Sequence, residues 1–270
     1  MRSIRLEAWD ARRIGLPAMA WAACGCCVKR SNLVDIGAQS YSFRKFDVSG
    51  SIEQLRRLGL HVMEFCAVHF PADASDVGFA VVRDAIAAAG VRVPCFGVEG
   101  FSADETANRK KFEFAKALGV EVLTADPTPD SFASLDTLCD EFGIRVGIHN
   151  HGPGARYDKV KDTLRALEGH SPLIGACVDT GHSIRSGEKP EEAIEALGER
   201  AISLHLKDWI FGGEEQILGE GDLSLVKVVR VLKSMCFAGP IVMEYENSPQ
   251  NPTPEMQLGL ANWRRAVEQA

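Results

Sequence analysis

Histidines and carboxylates follow four short apolar runs of this chain. The run at residues 174–178 leads into Asp179-Thr-Gly-His182, and residues 183–187 are predicted to form a loop. The other three runs lead into Ile148-His-Asn-His151, Leu204-His-Leu-Lys-Asp208 and Met243-Glu-Tyr-Glu246. A carboxylate and an imidazole at one strand end can both reach a single metal ion or a single substrate hydroxyl. The pattern therefore predicts one site that is assembled from four strand ends.

The histidines are concentrated at predicted strand ends. The chain has 7 histidines, and five of them occupy such positions: His69, His149, His151, His182 and His205. Alternate side chains of a strand share one face, so His149 and His151 are expected to point the same way. The remaining two, His61 and His170, are interpreted as structural histidines.

Three of the polar residues stand at equivalent depths of successive predicted strands. They are Asp179, His205 and Glu244. For any single histidine a hydrogen-bonded polar layer is the better interpretation, but the three together favour a metal site. Imidazole and carboxylate ligands suit Mn²⁺, Zn²⁺, Co²⁺ or Fe²⁺ better than Mg²⁺, which prefers oxygen ligands.

The elements that must position these residues alternate regularly from residue 35 onward. Short apolar strands, the second of them at 61–69, are followed by amphipathic helices that often end at a glycine, which gives about eight strand–helix units. This arithmetic predicts an α/β fold, a single-domain (β/α)₈ TIM barrel over residues 35–270, with function at the C-terminal ends of the strands. A doubly wound sheet is the alternative, although no GxGxxG motif follows the first predicted strand at 36–43.

Composition narrows the class of protein. The chain has 270 residues, a formal net charge of -7 and 46% hydrophobic residues, enough for one large core. Negative charge repels phosphate backbones, so a small molecule is expected as partner rather than nucleic acid. Five scattered cysteines are predicted to be buried free thiols: Cys66, Cys95, Cys139, Cys177 and Cys236.

The N-terminal segment differs from the rest of the chain. Arg12-Arg13 precedes an uncharged, mostly apolar run at 14–23, and Ala22-Ala23-Cys24 is similar to a lipoprotein cleavage box. These features are typical of an export signal of the twin-arginine type, which would place the protein outside the cytoplasm. The alternative is an extension at residues 1–34 of a cytoplasmic protein. In both interpretations this segment is not part of the barrel, and no membrane span is expected after it.

Four motifs together resemble one superfamily. In chain order they are Val178-Asp-Thr-Gly-His182, Leu204-His-Leu-Lys-Asp208, Gly219-Glu-Gly-Asp222 and Met243-Glu-Tyr-Glu246. From about residue 36 to the C-terminus the chain resembles the xylose isomerase-like TIM-barrel superfamily of sugar-phosphate isomerases and epimerases. The resemblance implies a divalent metal held by Glu, Asp, His and Glu, of which the last three match Asp179, His205 and Glu244. His182 matches a histidine that contacts substrate beside the metal.

One position departs from that pattern. The first metal ligand of the superfamily is a glutamate, and His149 stands in its place. The resemblance implies two glutamate bases on opposite faces of a ketose, whereas here only Glu244 or Glu246 would handle protons. We therefore expect a metal-dependent sugar or polyol isomerase or epimerase. The alternative is a keto-sugar dehydratase or lyase, or an enzyme that cleaves 3-keto-glycosides, since elimination next to a carbonyl needs one base.

The remaining strand-end residues receive supporting roles. Contact with substrate is expected for Glu64, His69, His151 and Asp208. Lys207 is expected to stabilise negative charge beside the metal, and its alternative is a rim ion pair with Glu246. Residues 219–221 are predicted to form a loop over the mouth. An endonuclease IV-like nuclease, disfavoured by the acidic charge, and a non-catalytic sugar-binding barrel are weaker alternatives.

Overall fold

The computed structural model describes residue 33 and residues 35–270. Eight parallel strands form a nearly closed barrel, which confirms the predicted TIM barrel, and a two-stranded hairpin follows the seventh strand. The export signal predicted for the N-terminal segment lies outside the described residues. The strands are Gly37–Gln39 (β1), Met63–Glu64 (β2), Cys95–Phe101 (β3), Val122–Pro127 (β4), Arg145–His149 (β5), Ile174–Asp179 (β6), Ala201–Leu206 (β7), Asp208–Trp209 (β8), Glu215–Gln216 (β9) and Ile241–Met243 (β10).

Helices separate the barrel strands along the chain. They are Val48–Arg57 (α1), Phe79–Ala88 (α2), Glu105–Leu118 (α3), Phe132–Phe142 (α4), Val160–Ala166 (α5), Thr180–Arg185 (α6), Pro190–Leu197 (α7), Leu225–Ser234 (α8) and Thr253–Gln269 (α9). Gly119 and Gly143 follow α3 and α4 in the left-handed conformation, with φ of 80° and 67°, as the sequence predicts for helix ends. Among the described helices, none combines the length and the apolar character that crossing a membrane requires.

The barrel is weakest at one seam. Its strand order is β2-β1-β10-β7-β6-β5-β4-β3, and β2 meets β3 only through the isolated bridges Val62↔Arg92 and Phe65↔Phe96. Aromatic rings fill this seam: Phe96 lies 4.8 Å from Phe114 and 5.4 Å from Phe70 between ring centroids. Edge and tilted contacts of this kind add packing energy where ladder hydrogen bonds are few.

Strand register brings the polar ends of four adjacent strands close together. Asp179 at the end of β6 is the direct partner of His205 on β7. His149 ends β5 opposite Cys177, two residues before Asp179. On the other side of β7, Met243 pairs with Leu206, so Glu244 follows β10 beside Lys207. Four successive strands of the sheet therefore aim their last polar residues at one point.

Two strands are shorter than the sequence suggests. The predicted strand at 36–43 stops at Gln39, because Ser40–Phe43 form a 3-10 helix that the Gln39 side chain caps through the Tyr41 backbone N–H. The predicted strand at 61–69 retains only Met63–Glu64. Both strands lie at the seam side of the barrel, where ladder pairing is least regular.

Two other expectations are wrong. Residues 183–187 were expected as a loop, yet 180–185 form α6, because the Asp179 carboxylate accepts a hydrogen bond from the His182 backbone N–H and caps the helix. Four of the five cysteines are buried as predicted, but Cys236 is exposed. Cys236 lies in the turn after α8 with φ of 51°, which carries its side chain out of the core.

Candidate active site

A cavity of about 360 Å³ opens at the C-terminal ends of the barrel strands. Two groups of side chains face it. We call His149, His151 and His182 the histidine side, and Lys207, Glu244 and Glu246 the acid side; His205 lies between them. The rest of the wall is neutral and comes from the ends of β1 and β2 and from the middle of β3. A volume of this size falls within the range of small-molecule sites, about 300–1,000 Å³.

Four buried donor atoms converge beside the cavity. His149, Asp179, His205 and Glu244 each offer one such atom, and all four atoms lie within 4.8 Å of one another. His149 Nε2 is 3.2 Å from His205 Nδ1 and 3.6 Å from Asp179 Oδ2, and His205 Nδ1 is 3.2 Å from Glu244 Oε2. Donors bonded at about 2.1 Å to one ion would be spaced about 3.0–3.4 Å apart. The cluster could therefore hold a metal ion.

The charge balance of this cluster also suits a divalent cation. Three buried carboxylates, Glu64, Asp179 and Glu244, surround the cluster, and the buried ammonium of Lys207 is shared between two of them and Glu246. Burial would raise the pKa of Glu244, but Lys207 and His205 hold it at about 2. Asp179 Oδ2 is buried without a hydrogen-bond partner among the described residues. Since an unpaired buried carboxylate oxygen is costly, a cation ligand fits this set of residues.

The orientation of His205 is set by Glu64. His205 Nε2 lies 2.9 Å from Glu64 Oε2, so the N–H of this nitrogen donates to the carboxylate and leaves Nδ1 free to face the cluster. Metal-ligating histidines commonly carry such a carboxylate partner. Glu64 is fully buried and does not line the cavity. The structure thus places Glu64 behind His205, although the sequence suggested contact with substrate.

Asp179 is held equally firmly. Its Oδ1 accepts a hydrogen bond of 2.7 Å from the His182 backbone N–H at the start of α6. Asn150 fixes the backbone of the same residue: its Oδ1 accepts from the Asp179 N–H at 2.7 Å, and its Nδ2 donates to the Asp179 carbonyl at 3.0 Å. These contacts consume Oδ1 and leave Oδ2 directed at the cluster.

Lys207 is a buried cation beside the cluster. Only 1% of its side chain is exposed, and its Nζ lies 2.5 Å from Glu246 Oε1, 3.6 Å from Glu244 Oε1 and 3.8 Å from Asp179 Oδ2. Burial alone would lower the pKa of Lys207, but these carboxylates raise it above its ordinary value. Gly181 makes room for the stem, since a Cβ there would meet Lys207 Cγ at 2.7 Å. The pair with Glu246 is therefore buried on the lysine side.

Two of the predicted substrate contacts lie elsewhere. His69 Nε2 is 2.9 Å from Ser51 Oγ, away from the cavity lining. The Asp208 carboxylate accepts hydrogen bonds from four backbone N–H groups, those of Trp209, Gly219, Gly221 and Leu223. Asp208 thus organises the loop at 219–223, and a Cβ at Gly221 would lie 2.4 Å from its Oδ1. This close contact explains why the Gly219-Glu-Gly-Asp222 motif has a glycine at position 221.

His151 and His182 line the cavity. Burial lowers the pKa of His182 to about 4, and Lys207 and His149 add to the effect against the opposing charge of Asp179. Burial and the neighbouring His149 also lower the pKa of His151. Both imidazoles are therefore neutral near pH 7.

Sequence reasoning missed two residues that contact the site from behind. Glu215 on β9 is buried, and its carboxylate accepts hydrogen bonds from the backbone N–H groups of Glu246 and Asn247. Arg185 at the end of α6 contacts the His182 ring at 2.8 Å. Neither residue stands at a barrel strand end, and both lie in polar stretches typical of surface loops, so no local signal identifies them.

The fold and the site define the class of protein. The sequence profile of the family described as xylose isomerase-like TIM barrel matches residues 52–266. The chain therefore belongs to this family.

Curated relatives carry different activities. Over 205 residues the chain is 25% identical to 3-oxo-isoapionate decarboxylase of Pectobacterium atrosepticum, covering 68% of this chain and 72% of the relative. It is 25% identical over 144 residues to inosose dehydratase of Clostridium beijerinckii, covering 46% of this chain and 48% of that enzyme, so it spans about half the length of this relative. The structure of 3-keto-D-glucoside 4-epimerase from E. coli superposes with a TM-score of 0.69 at 15% identity, covering 86% and 99% of the two chains. The last comparison concerns the fold alone.

Proposed function

We propose that this protein is a divalent-metal-dependent enzyme that removes a proton from the carbon next to a carbonyl of a sugar, polyol or glycoside. The observation that carries the proposal is the convergence of four buried donor atoms beside a cavity that also exposes one carboxylate, Glu246. His149, Asp179, His205 and Glu244 would hold the ion. When bound, a divalent ion supplies Lewis-acid polarisation of a carbonyl and its neighbouring hydroxyl.

Glu246 is the base in this proposal. Its side chain is 37% exposed, whereas that of Glu244 is 9% exposed and belongs to the ligand set. The proton passes from the substrate carbon to a Glu246 oxygen, and the electron pair of the C–H bond moves toward the carbonyl oxygen. The Lys207 ammonium, bound to Glu246 on the same side, stabilises the negative charge that develops there.

The fate of the proton separates two reactions. Returning it to the neighbouring carbon completes an isomerisation, and returning it to the same carbon from the other face completes an epimerisation. We favour an isomerase or epimerase, because isomerisation is the reaction for which the family is named. The position of His149 supports the alternative, a dehydratase or lyase, because both carboxylates that line the cavity follow one strand, β10. In that reaction the electron pair expels water or an aglycone from the next carbon, and one base suffices.

A single set of samples tests the proposal. The purified protein is analysed for bound metal and then incubated in D₂O with ketoses, inososes and 3-keto-glycosides. Solvent deuterium should enter the carbon next to the carbonyl, and mass spectrometry should distinguish an isomer from a product that has lost water or an aglycone.

Glu246→Gln should retain metal and lose about 10²–10⁴-fold in exchange rate. Glu214→Gln, at an exposed neighbour of the hairpin, is the matched control and should exchange normally. Full metal content with no exchange on any of these substrates would point to a non-catalytic sugar-binding barrel instead.

A further inference from the structure

Arg185 directs a hydrogen bond at one nitrogen of His182. The distance from Arg185 Nη1 to His182 Nδ1 is 2.8 Å. A guanidinium can only donate hydrogen bonds, so Nδ1 must offer its lone pair. The proton of a neutral His182 ring is then on Nε2. One arginine thus decides which of the two imidazole tautomers faces the substrate.

The guanidinium is held where it can do this. Arg185 Cζ lies 4.9 Å from the centroid of the Trp209 ring, a cation–π contact. Gly152 leaves room on the other side, because a Cβ there would lie 2.8 Å from Arg185 Cζ. Within residues 35–270 no carboxylate pairs with Arg185, whereas the nearby Arg156 pairs with Asp126 at 3.0 Å. The position of Arg185 is therefore explained by the imidazole and the indole, not by an ion pair.

The other nitrogen of the ring is open. His182 lines the cavity, and its Nε2 is neither a buried atom nor hydrogen-bonded to any group of the described chain. The face that a substrate would meet is therefore an N–H donor without a lone pair. Such a group can bind a hydroxyl or carbonyl oxygen but cannot accept a proton.

We propose that Arg185 is a positioning residue that fixes His182 in the Nε2–H tautomer, so that His182 donates a hydrogen bond to a substrate oxygen and does not act as a base. The proposal deepens the proposed function, on which it rests for the oxygen-rich substrate. It removes the histidine side as a source of a second base and leaves proton removal to Glu246. Trp209 and Gly152 are the residues that keep Arg185 in place.

Nuclear magnetic resonance of the histidine ring nitrogens tests the tautomer without any substrate. In ¹⁵N-labelled protein at pH 7.5, assigned with His182→Gln, the wild type should give the Nε2–H pattern. Arg185→Met should shift His182 toward a mixture of tautomers, and Arg185→Lys should restore part of the pattern. Arg156→Met, a matched loss of an arginine that stacks on Tyr157, should leave His182 unchanged. An Nδ1–H pattern in the wild type, or no change in Arg185→Met, would overturn the proposal.

Activity supplies an independent measurement. A glutamine amide can donate a hydrogen bond but cannot take a proton at neutral pH, so His182→Gln should keep kcat/KM within about tenfold of the wild type. His182→Ala removes the donor and should lose about 10²-fold. If His182→Gln falls as far as His182→Ala, the ring does more than donate and the proposal fails. Since the resonance pattern needs no turnover, it stays decisive even if no tested sugar is a substrate and the proposed function fails.

Discussion

Three imidazoles form one side of the cavity, and an ammonium with two carboxylates forms the other. On the histidine side, burial lowers the pKa of His151 and His182, and Arg185 occupies the Nδ1 lone pair of His182. On the acid side, Lys207 keeps Glu244 ionised and pairs with Glu246. Both sides contribute a ligand to the same cluster, His149 and Glu244. In the proposed mechanism this difference divides the work: the histidine side holds and orients the substrate, and the acid side moves protons.

This asymmetry is the main physical argument for chemistry with one base. Family members with a carboxylate in place of His149 would have an acid on both sides, as the resemblance implies. Here the acids that line the cavity follow β10 alone. We therefore expect the largest effect from removing a negative charge of the donor cluster. Placing a carboxylate on the histidine side should have a smaller effect, and removing the ammonium of the acid side a smaller one still.

Removing the negative charge of Asp179 from the donor cluster should have the largest effect. Asp179→Asn keeps the side-chain oxygen that caps α6, since asparagine is a good N-cap, but it removes the negative charge from the cluster. We expect metal content to fall to background and activity to fall more than about 10²-fold, with the melting temperature nearly unchanged. Asp126→Asn, near the end of β4 two strands away, is the control, and elemental analysis is the measurement. Full metal occupancy in Asp179→Asn would show that the ligand set is wrong.

Placing a carboxylate on the histidine side as well should have the next largest effect. His149→Glu puts a carboxylate on the histidine side and restores the superfamily pattern. If the protein is an isomerase, the variant should keep activity within about tenfold and gain ketose epimerisation, because acids would then flank the substrate on both sides. It should also bind Mg²⁺ and Mn²⁺ relatively better, since oxygen replaces nitrogen in the ligand set. Loss of native activity without any epimerisation would favour the lyase, and His61→Glu, at an exposed histidine away from the cavity, serves as the control.

Weakening the acid side should cost less. Lys207→Met keeps an unbranched side chain of similar length but removes the ammonium that faces three carboxylates. We expect kcat to fall about 10–100-fold with metal content retained, because the developing negative charge loses one partner. Steady-state kinetics and metal analysis together check this. An unchanged kcat would show that Lys207 serves only a structural role, in its ion pair with Glu246.

The sequence predicted the parts of the molecule that depend on local order. Alternating strands and helices, and glycines after helices, follow from periodicity and capping. The barrel and its polar strand ends could therefore be predicted from the sequence. Contacts between distant segments could not be predicted, such as the one between Glu64 and His205, which are 141 positions apart. The short helix after Asp179 was missed because Gly181 and Ser183 favour turns, although Asp179 itself is a good N-cap. Burial of Glu215 was also hidden, since its neighbour Glu214 has the same side chain and is exposed.

Glu215 gives the smallest and most indirect test of the comparison, because it holds the acid side from behind. Its carboxylate accepts hydrogen bonds of 2.9–3.0 Å from the backbone N–H groups of Glu246 and Asn247. Burial raises the pKa of Glu215 from 4.5 to about 7, against the opposing influence of Lys207 and these N–H groups. Between pH 4.5 and 7 the folded protein therefore holds a proton that the unfolded chain has lost, and stability should decrease as pH rises through this window.

Replacing the carboxyl group with an amide should remove this pH dependence. The free energy of unfolding of Glu215→Gln, relative to wild type, should rise by about 2 kcal/mol between pH 5 and pH 8, since each pKa unit corresponds to about 1.4 kcal/mol. Glu214→Gln, one residue away and exposed, should follow the wild type at both pH values. Urea unfolding at the two pH values measures the difference. If it stays constant or falls, the backbone N–H groups keep Glu215 ionised in the folded state, and the acid side then has a third fixed negative charge behind Glu246 rather than a group that titrates.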